Sequence, residues 1–178
     1  MKKPRHFKPL PSLERLHEVF VLNRRDGTLT WKPRSDKRWN TRYAGKIAGS
    51  LNKKSGYHCV LLDSVQYQLH RIIWKMANDR EPTEQIDHHD TDQSNNRPRN
   101  LREANTSQNK SNGKAYRRKT GIVLPKGVYR QKRYAGFQAA IRFEGKLHYL
   151  GSFPTEEAAH AAYCAKAAEL NPTFARAA

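Results

Sequence analysis

Cysteines, acidic residues and long apolar runs are all scarce in this 178-residue chain. Cys59 and Cys164 lie far apart without CxxC spacing, so neither a zinc knuckle nor a disulfide framework is indicated, and both are expected to be small buried thiols. No apolar stretch has the length of a signal peptide or a membrane span, which predicts a cytoplasmic protein. With 37% hydrophobic residues, no core can be large.

The shortage of acid leaves a strongly basic chain. Its 34 Lys and Arg against 16 Asp and Glu give a formal charge of +18, and Glu144 is the only acidic residue between positions 104 and 155. Such a charge predicts a polyanionic partner. Nucleic acid is favoured over a membrane surface, because the sequence has no basic amphipathic helix with a bulky apolar face.

Hydrophobic spacing predicts a short helix over residues 13–22, a strand over 28–31, a hairpin of strands 57–62 and 65–69, and a buried helix that follows it. Residues 32–49 interleave basic residues with Trp39 and Tyr43. Such a stretch can grip phosphates while its rings stack on bases. It can equally be a solvated loop whose two rings pin it to the domain, and the sequence leaves both interpretations open.

Acid, imidazole and amide side chains gather between residues 86 and 109, with little apolar material among them. Asp87-His88 can place a carboxylate on a metal with an imidazole beside it, and Asn100 and Asn109 can supply amide oxygens. Oxygen and nitrogen donors without a thiol suit a hard divalent cation. The alternative is a polar loop rich in Asx turns, which is the interpretation given to Asp90-Thr91-Asp92 and Asn95-Asn96.

At these positions the sequence resembles the HNH nucleases, in the variant with a final Asn (HNN). The resemblance implies a ββα-metal module with one divalent ion, Mg²⁺ or Mn²⁺, held by Asp87 and Asn109. It makes His88 the general base and Asn100 the acceptor for the other imidazole nitrogen. Glu103 departs from the family pattern, which often has Trp there.

Two further histidines need an interpretation. His89 would point to the opposite face of a strand from His88, so only one of them can address the metal, and the choice of His88 rests on the resemblance. His70 is interpreted as a structural hydrogen-bonding residue that holds the hairpin against the helix, although a second catalytic role is conceivable.

Beyond residue 112 the chain becomes a basic linker and then a small α+β pattern. Three strands are predicted over residues 127–134, 136–143 and 147–153, with apolar Phe137, Ala139 and Ile141 alternating with polar positions. Thr155 is a good N-cap for an alanine-rich helix that runs to Leu170.

Short motifs at residues 127–128, 150–153 and 156–163 resemble the plant ethylene-response-factor (apetala-type) DNA-binding domain. That resemblance implies a three-stranded antiparallel sheet on one helix, with its open face in the major groove. The phase of the first strand is left open, with Gln131 and Arg133 or Arg130 and Lys132 facing DNA. The expected DNA-binding residues are Lys114, Arg117, Arg118, Lys126, Tyr129, Arg130, Lys132, Arg133, Gln138, Arg142 and Tyr149.

Together these features predict an α+β protein with an HNH domain at 1–112, a basic linker at 113–122 and an apetala-type domain at 123–178. The pairing resembles phage-borne, homing-type nucleases that leave 5′-phosphate and 3′-hydroxyl ends in a bacterial host cytosol. The expected partner is double-stranded DNA, with no membrane or small-molecule substrate, and the protein is expected to be a monomer. A non-catalytic DNA-binding regulator and an RNA-directed binding protein are the alternatives.

Overall fold

The first elements are a short helix and a hairpin. The computed structural model describes residues 8–112, 124–131 and 135–172. Helix α1 spans Leu13–Val19, strand β1 spans Phe20–Asn23 and strand β2 spans Thr28–Trp31. The prediction of a helix to residue 22 is therefore wrong. Phe20 instead pairs with Trp31 in an antiparallel ladder, since the turn that begins at Asn23 brings the chain back onto Phe20-Val21, both good strand formers.

The next elements are helix α2 (Lys37–Tyr43) and an antiparallel sheet of β3 (Ser50–Leu51), β4 (His58–Leu62) and β5 (Val65–Gln68), in that order. The predicted hairpin is confirmed. Asp63 and Ser64 form its two-residue turn, with φ values of 49° and 63°. Positive φ at both positions gives the turn the twist that matches its strands.

Helix α3 (Leu69–Asn78) lies at the centre of the first hydrophobic core. Every residue from Leu69 to Met76 is buried, and Ile72 and Ile73 are fully so. The core also takes Leu16 and Phe20 from α1 and β1. After α3 come strands β6 (Gln85–His88) and β7 (Leu101–Ala104), which pair with each other, and a 3₁₀ turn at Pro98–Asn100 precedes β7.

The C-terminal elements are helix α4 (Thr106–Asn112), strands β8 (Val128–Arg130), β9 (Phe137–Phe143) and β10 (Lys146–Phe153), and helix α5 (Glu156–Leu170). The strands form an antiparallel sheet in the order β10-β9-β8. Its apolar face packs against α5 in two small clusters that include Ala139, Ile141 and Tyr163. The predicted sheet, helix and N-cap are confirmed, and the Thr155 hydroxyl accepts a hydrogen bond from Ala158 N. The first strand ends at Arg130, and residues 132–134 of its predicted range lie outside the described residues.

Gly127 explains how closely helix α5 approaches this sheet. It has φ +77°, and a Cβ there would lie 1.9 Å from Tyr163 Cδ2. Only glycine leaves room for the buried Tyr163 ring at that point. Burial raises the pKa of the Tyr163 hydroxyl to about 12.

The chain divides into two compact units, Met1–Glu103 and Ala104–Ala178, and both are mixtures of helix and small sheets, as an α+β fold requires. The division precedes α4, which falls within the predicted first domain, and the whole of the predicted linker, residues 113–122, lies outside the described residues. The domain limits therefore stay a prediction. Cys59 is buried as expected, whereas Cys164 is half-buried. None of the described helices has the length and apolar character needed to cross a membrane.

Candidate active site

His88 is the last residue of β6 and belongs to a run of buried residues, Ile86, Asp87 and His88. The His88 side chain is 4% exposed and Asp87 is 7% exposed. His89 follows the end of the strand and is exposed. His88, the histidine predicted to be the general base, is thus the buried one of the two. It directly follows the buried Asp87 in the chain.

Asn96 holds the imidazole of His88. Its Oδ1 lies 2.9 Å from His88 Nε2, and Asn96 is only 4% exposed. An amide oxygen can only accept, so Nε2 carries the hydrogen and donates it. A neutral imidazole has one N–H, which leaves the lone pair on Nδ1.

The expectation that Asn100 accepts from the imidazole is wrong. Its Oδ1 accepts from Asp90 N at 3.1 Å, while its Nδ2 donates to Asp90 Oδ1 at 2.9 Å and to Asn95 O at 2.8 Å. Its backbone carbonyl accepts from His89 N. Asn100 therefore closes the loop between β6 and the 3₁₀ turn, and it acts on His88 only through the position of that loop.

The loop closed by Asn100 contains Asx turns at Asp90 and Asp92, as predicted for residues 90–92, but the same prediction for Asn95-Asn96 is wrong, since their side chains bond Asp90 and His88 instead. Asp90 and Asp92 each accept from a backbone N–H two residues on, and Asn95 Nδ2 donates to Asp90 Oδ2. Burial raises the pKa of Asp90, but hydrogen bonds from Asn100, Asp92 N and Asn95 outweigh it and hold that pKa below its usual value. These bonds fix the backbone that presents Asn96.

Two other rings pack against His88. The His70 ring centroid lies 5.1 Å from that of His88 in an edge-on arrangement, and the Tyr57 centroid lies 6.1 Å from that of His88 and 5.0 Å from that of His70. Burial lowers the pKa of His70 to about 3, with smaller contributions from His88 and Arg71. His70 is therefore neutral at ordinary pH, and it joins α3 to the residue before β4 by ring packing. A structural role is supported, but the predicted hydrogen bond is not, since the His70 side chain forms none with the residues that the structure describes.

Asp87 is paired with Arg102 of β7. Its Oδ2 accepts from both Nε and Nη2 of Arg102, each at 3.1 Å. A buried carboxylate needs such a countercharge, because removing it from water is costly. Arg102 was known from the sequence only as part of the Leu-Arg motif, so this ion pair was missed.

The donor atoms near His88 suit a hard cation, since Asp87 supplies carboxylate oxygens and no thiol is involved. Within the part of the chain that the structure describes, no cluster of three or more His, Cys, Asp or Glu could hold a metal ion by itself. A metal here would depend on few protein ligands. Asn109 lies on α4 in the second unit, so its part in a metal site remains a proposal.

The open face of the second unit's sheet carries several predicted DNA-binding residues. Tyr129 is opposite Gln138 in the register and Tyr149 is opposite Ala140, so these side chains share a face with Arg142. Tyr129 and Tyr149 are 46% and 61% exposed. A cavity of about 380 Å³ is lined in part by Lys126, Tyr129 and Arg142.

A side-chain contact shows which residues at β8 face the open side of the sheet. Gln131 Nε2 donates to Ser152 Oγ, which also contacts the Tyr149 hydroxyl. Gln131 therefore belongs to the open face. Arg130 pairs with Phe137, whose ring packs toward α5, so the alternative that places Arg130 on the open face is wrong. Five predicted residues lie outside the described part of the chain: Lys114, Arg117, Arg118, Lys132 and Arg133.

The basic, aromatic stretch after β2 forms an aromatic cluster with edge-on and tilted rings. The Trp39 ring lies 5.3 Å from those of Trp31 and Tyr43, and the Arg34 guanidinium lies 3.9 Å from it. Trp31 packs in turn against Phe20 of the core. These contacts favour the interpretation in which the rings pin the loop to its unit.

Comparison with protein families identifies one segment. Residues 67–111, about a quarter of the chain, match the family model described as HNH endonuclease. No curated protein and no solved structure gives a significant match. The segment runs from β5 to α4 and includes Asp87, His88 and Asn96. Its similarity supports a nuclease, a hydrolase that acts on DNA.

Proposed function

We propose that this protein is a metal-dependent DNA endonuclease of the HNN type, with a C-terminal sheet that reads the DNA. The observation that carries the proposal is the buried His88, whose Nε2 is fixed on Asn96 beside the buried Asp87 carboxylate. A fixed tautomer with a lone pair on Nδ1 is what a general base requires. The family match at residues 67–111 supports the same assignment.

In this proposal His88 accepts a proton at Nδ1 from the water that attacks the phosphorus. Asn96 keeps the ring oriented, and Asn100 keeps the loop closed so that Asn96 stays in place. Asp87 and Asn109 would hold one Mg²⁺ or Mn²⁺ ion, which would stabilise charge on the phosphate and on the leaving 3′ oxygen. The products then carry 5′-phosphate and 3′-hydroxyl ends.

The open face of β8, β9 and β10 supplies DNA recognition. Exposed tyrosines beside Arg142 and Gln138 on one face of the sheet are side chains that can contact base edges and phosphates. In this proposal the sheet is the apetala-type reader of a homing-type nuclease that acts as a monomer on duplex DNA.

The decisive experiment incubates the full-length protein with supercoiled plasmid and Mg²⁺ or Mn²⁺, with and without a chelator. We expect relaxed or linear products that disappear with the chelator, and ends that a ligase accepts without treatment. Asp87→Ala should abolish cleavage while leaving DNA binding nearly intact. Binding without cleavage by the wild-type protein, under any divalent metal, would favour the non-catalytic regulator instead.

A further inference from the structure

Four arginines surround a cavity in the first unit that no part of the active site lines. The cavity has a volume of about 550 Å³ and is lined by Arg24, Arg25, Arg97, Pro98 and Arg99. We call it the arginine pocket. Arg24 and Arg25 come from the β1–β2 turn, Arg97 precedes the 3₁₀ turn at Pro98–Asn100, and Arg99 lies within it. Neither Asp87 nor His88 contributes to its walls.

Most of the positive charge in this pocket is not neutralised by the protein. Arg25, Arg97 and Arg99 form no side-chain hydrogen bond or ion pair with any residue in the described ranges 8–112, 124–131 and 135–172. Arg24 alone is anchored, since it donates to Ala77 O at 3.1 Å and Met76 O at 3.5 Å, at the end of α3. The one carboxylate adjacent in sequence, Asp26, accepts from Asn23 Nδ2.

Concentrated like charge is unfavourable in the free protein and attracts an anion. The chemistry of the side chains narrows the choice of anion. A guanidinium is planar, always charged, and donates two parallel hydrogen bonds that match phosphate oxygens. A pocket lined by four arginines therefore suits a phosphate group.

The arginine pocket is also connected to the His88 imidazole through a packing contact between two backbone segments. Gly27, at the end of the β1–β2 turn, is buried with φ +69°, and a Cβ there would lie 2.3 Å from Arg97 N and from Asn96 C. The turn thus rests directly on the backbone of Asn96 and Arg97. Asn96 binds His88 Nε2 at 2.9 Å. Arg97, which lines the pocket, is therefore the direct neighbour in the chain of Asn96, which orients His88.

We propose that the arginine pocket binds a backbone phosphodiester of the substrate DNA, away from the bond that is cut, and so fixes the register of the duplex relative to His88. This inference rests on the proposed nuclease function. Because guanidinium contacts to phosphate position a duplex without reading its sequence, the pocket contributes affinity and register, and sequence preference stays with the C-terminal sheet.

The test compares full-length variants in equilibrium binding to one duplex across a salt series, with a chelator present to prevent cleavage. Arg25→Ala/Arg97→Ala removes two charges from the pocket. Lys53→Ala/Lys54→Ala removes two exposed charges from the turn before β4 and is the matched control. Arg25→Lys/Arg97→Lys keeps the charge but loses the two-pronged geometry. Thermal unfolding checks that each variant is folded.

We expect the pocket variant to lower the slope of log affinity against log salt by about 0.9 for each phosphate that the protein no longer neutralises, and the control to keep the wild-type slope. The Lys variant should keep most of the slope but bind more weakly. An unchanged slope in the pocket variant, or an equal fall in the control, overturns the proposal.

A second experiment distinguishes binding of DNA phosphates from binding of a free anion in the arginine pocket. Inorganic pyrophosphate is titrated into wild type and the pocket variant by calorimetry, without DNA. If the variant loses pyrophosphate binding but keeps the DNA salt slope, the pocket takes a free anion and the proposal is overturned. These measurements do not need cleavage. A plasmid that stays intact would therefore count against the nuclease alone, while cleavage with an unchanged slope counts against the pocket alone.

Discussion

At the scale of single residues, the two adjacent histidines differ in their surroundings. His88 is buried with a hydrogen-bonding partner, whereas His89 is exposed beyond the end of β6. A positioned general base is worth about 10²–10⁴-fold, so His88→Ala should lose that much in single-turnover cleavage rate. His89→Ala is the matched control and should cleave at close to the wild-type rate. A dead His89→Ala beside an active His88→Ala would reverse the assignment.

Asn96 supplies a second prediction at this scale. Asn96→Ala leaves a buried His88 N–H without its acceptor, which costs about 1–3 kcal/mol of stability. The cleavage rate should also fall, by less than in His88→Ala, because the base remains but its orientation is lost. Asn96→Asp keeps an acceptor oxygen at that place and should recover part of the rate. Urea denaturation and single-turnover cleavage measure the two effects, and a fully active Asn96→Ala would contradict the positioning role.

At the scale of elements, the β1–β2 hairpin supports the catalytic loop through Gly27. Replacing glycine in the left-handed region costs about 1–2 kcal/mol by itself. Gly45 has φ +75° with nothing within 4 Å of a Cβ, so Gly45→Ala measures that backbone cost alone. Gly27→Ala must also displace Asn96 and Arg97. It should therefore be more destabilised in urea denaturation and should cleave more slowly, and equal behaviour of the two variants would rule out the close packing of the turn on the loop.

Strand β7 is joined to the segment after α3 by Glu103. The carboxylate accepts from Arg80 and from Thr83 N at 2.7 Å, and the Arg80 bond is the main reason that its pKa falls from 4.5 to about 2. This explains how the strand is held where the family often has Trp. A depressed carboxyl pKa contributes stability that is present above the unfolded-state value and lost as the pH falls from about 4.5 through about 2.

Glu103→Gln should therefore lower the free energy of unfolding at pH 7. The gap, meaning the difference in the free energy of unfolding between pH 7 and pH 3, should become smaller. Chemical denaturation at both pH values measures this. Glu18→Gln, whose more exposed carboxylate pairs with Arg15, is the control and should change the gap less. If the gap for Glu103→Gln equals that of the wild type, the ion pair does not contribute to acid sensitivity.

At the scale of the whole molecule, the proposed function assigns sequence recognition to the open face of the sheet in the second unit. Arg142 lies on the open face of the sheet and Arg130 on the other face, although both are exposed. An arginine that reads a guanine edge discriminates by about 1–3 kcal/mol. Arg142→Ala should therefore relax the preference found by selection from random duplexes, and Arg130→Ala should keep it. Equal preferences would mean that recognition lies elsewhere.

Much of the local architecture was predictable, because it depends on neighbouring residues. Alternation gave β4, β5, β9 and β10, and Thr155 marked the start of α5. The helix predicted to residue 22 was too long, since Phe20 and Val21 suit a helix face as well as a strand. Pairing with β2 decided between the two, and pairing is an interaction between segments that spacing alone does not contain.

By itself the sequence determined the charge, the motif spacing that the family model matches, and the residue types available for chemistry. Only the tertiary structure decided that Asn96, rather than Asn100, holds His88, since both are asparagines in one polar loop and the loop's closure sets their directions. The same holds for the arginine pocket, whose residues come from two segments far apart in the chain. The sequence determines which side chains are available, whereas the distance between remote residues is fixed only when the chain folds.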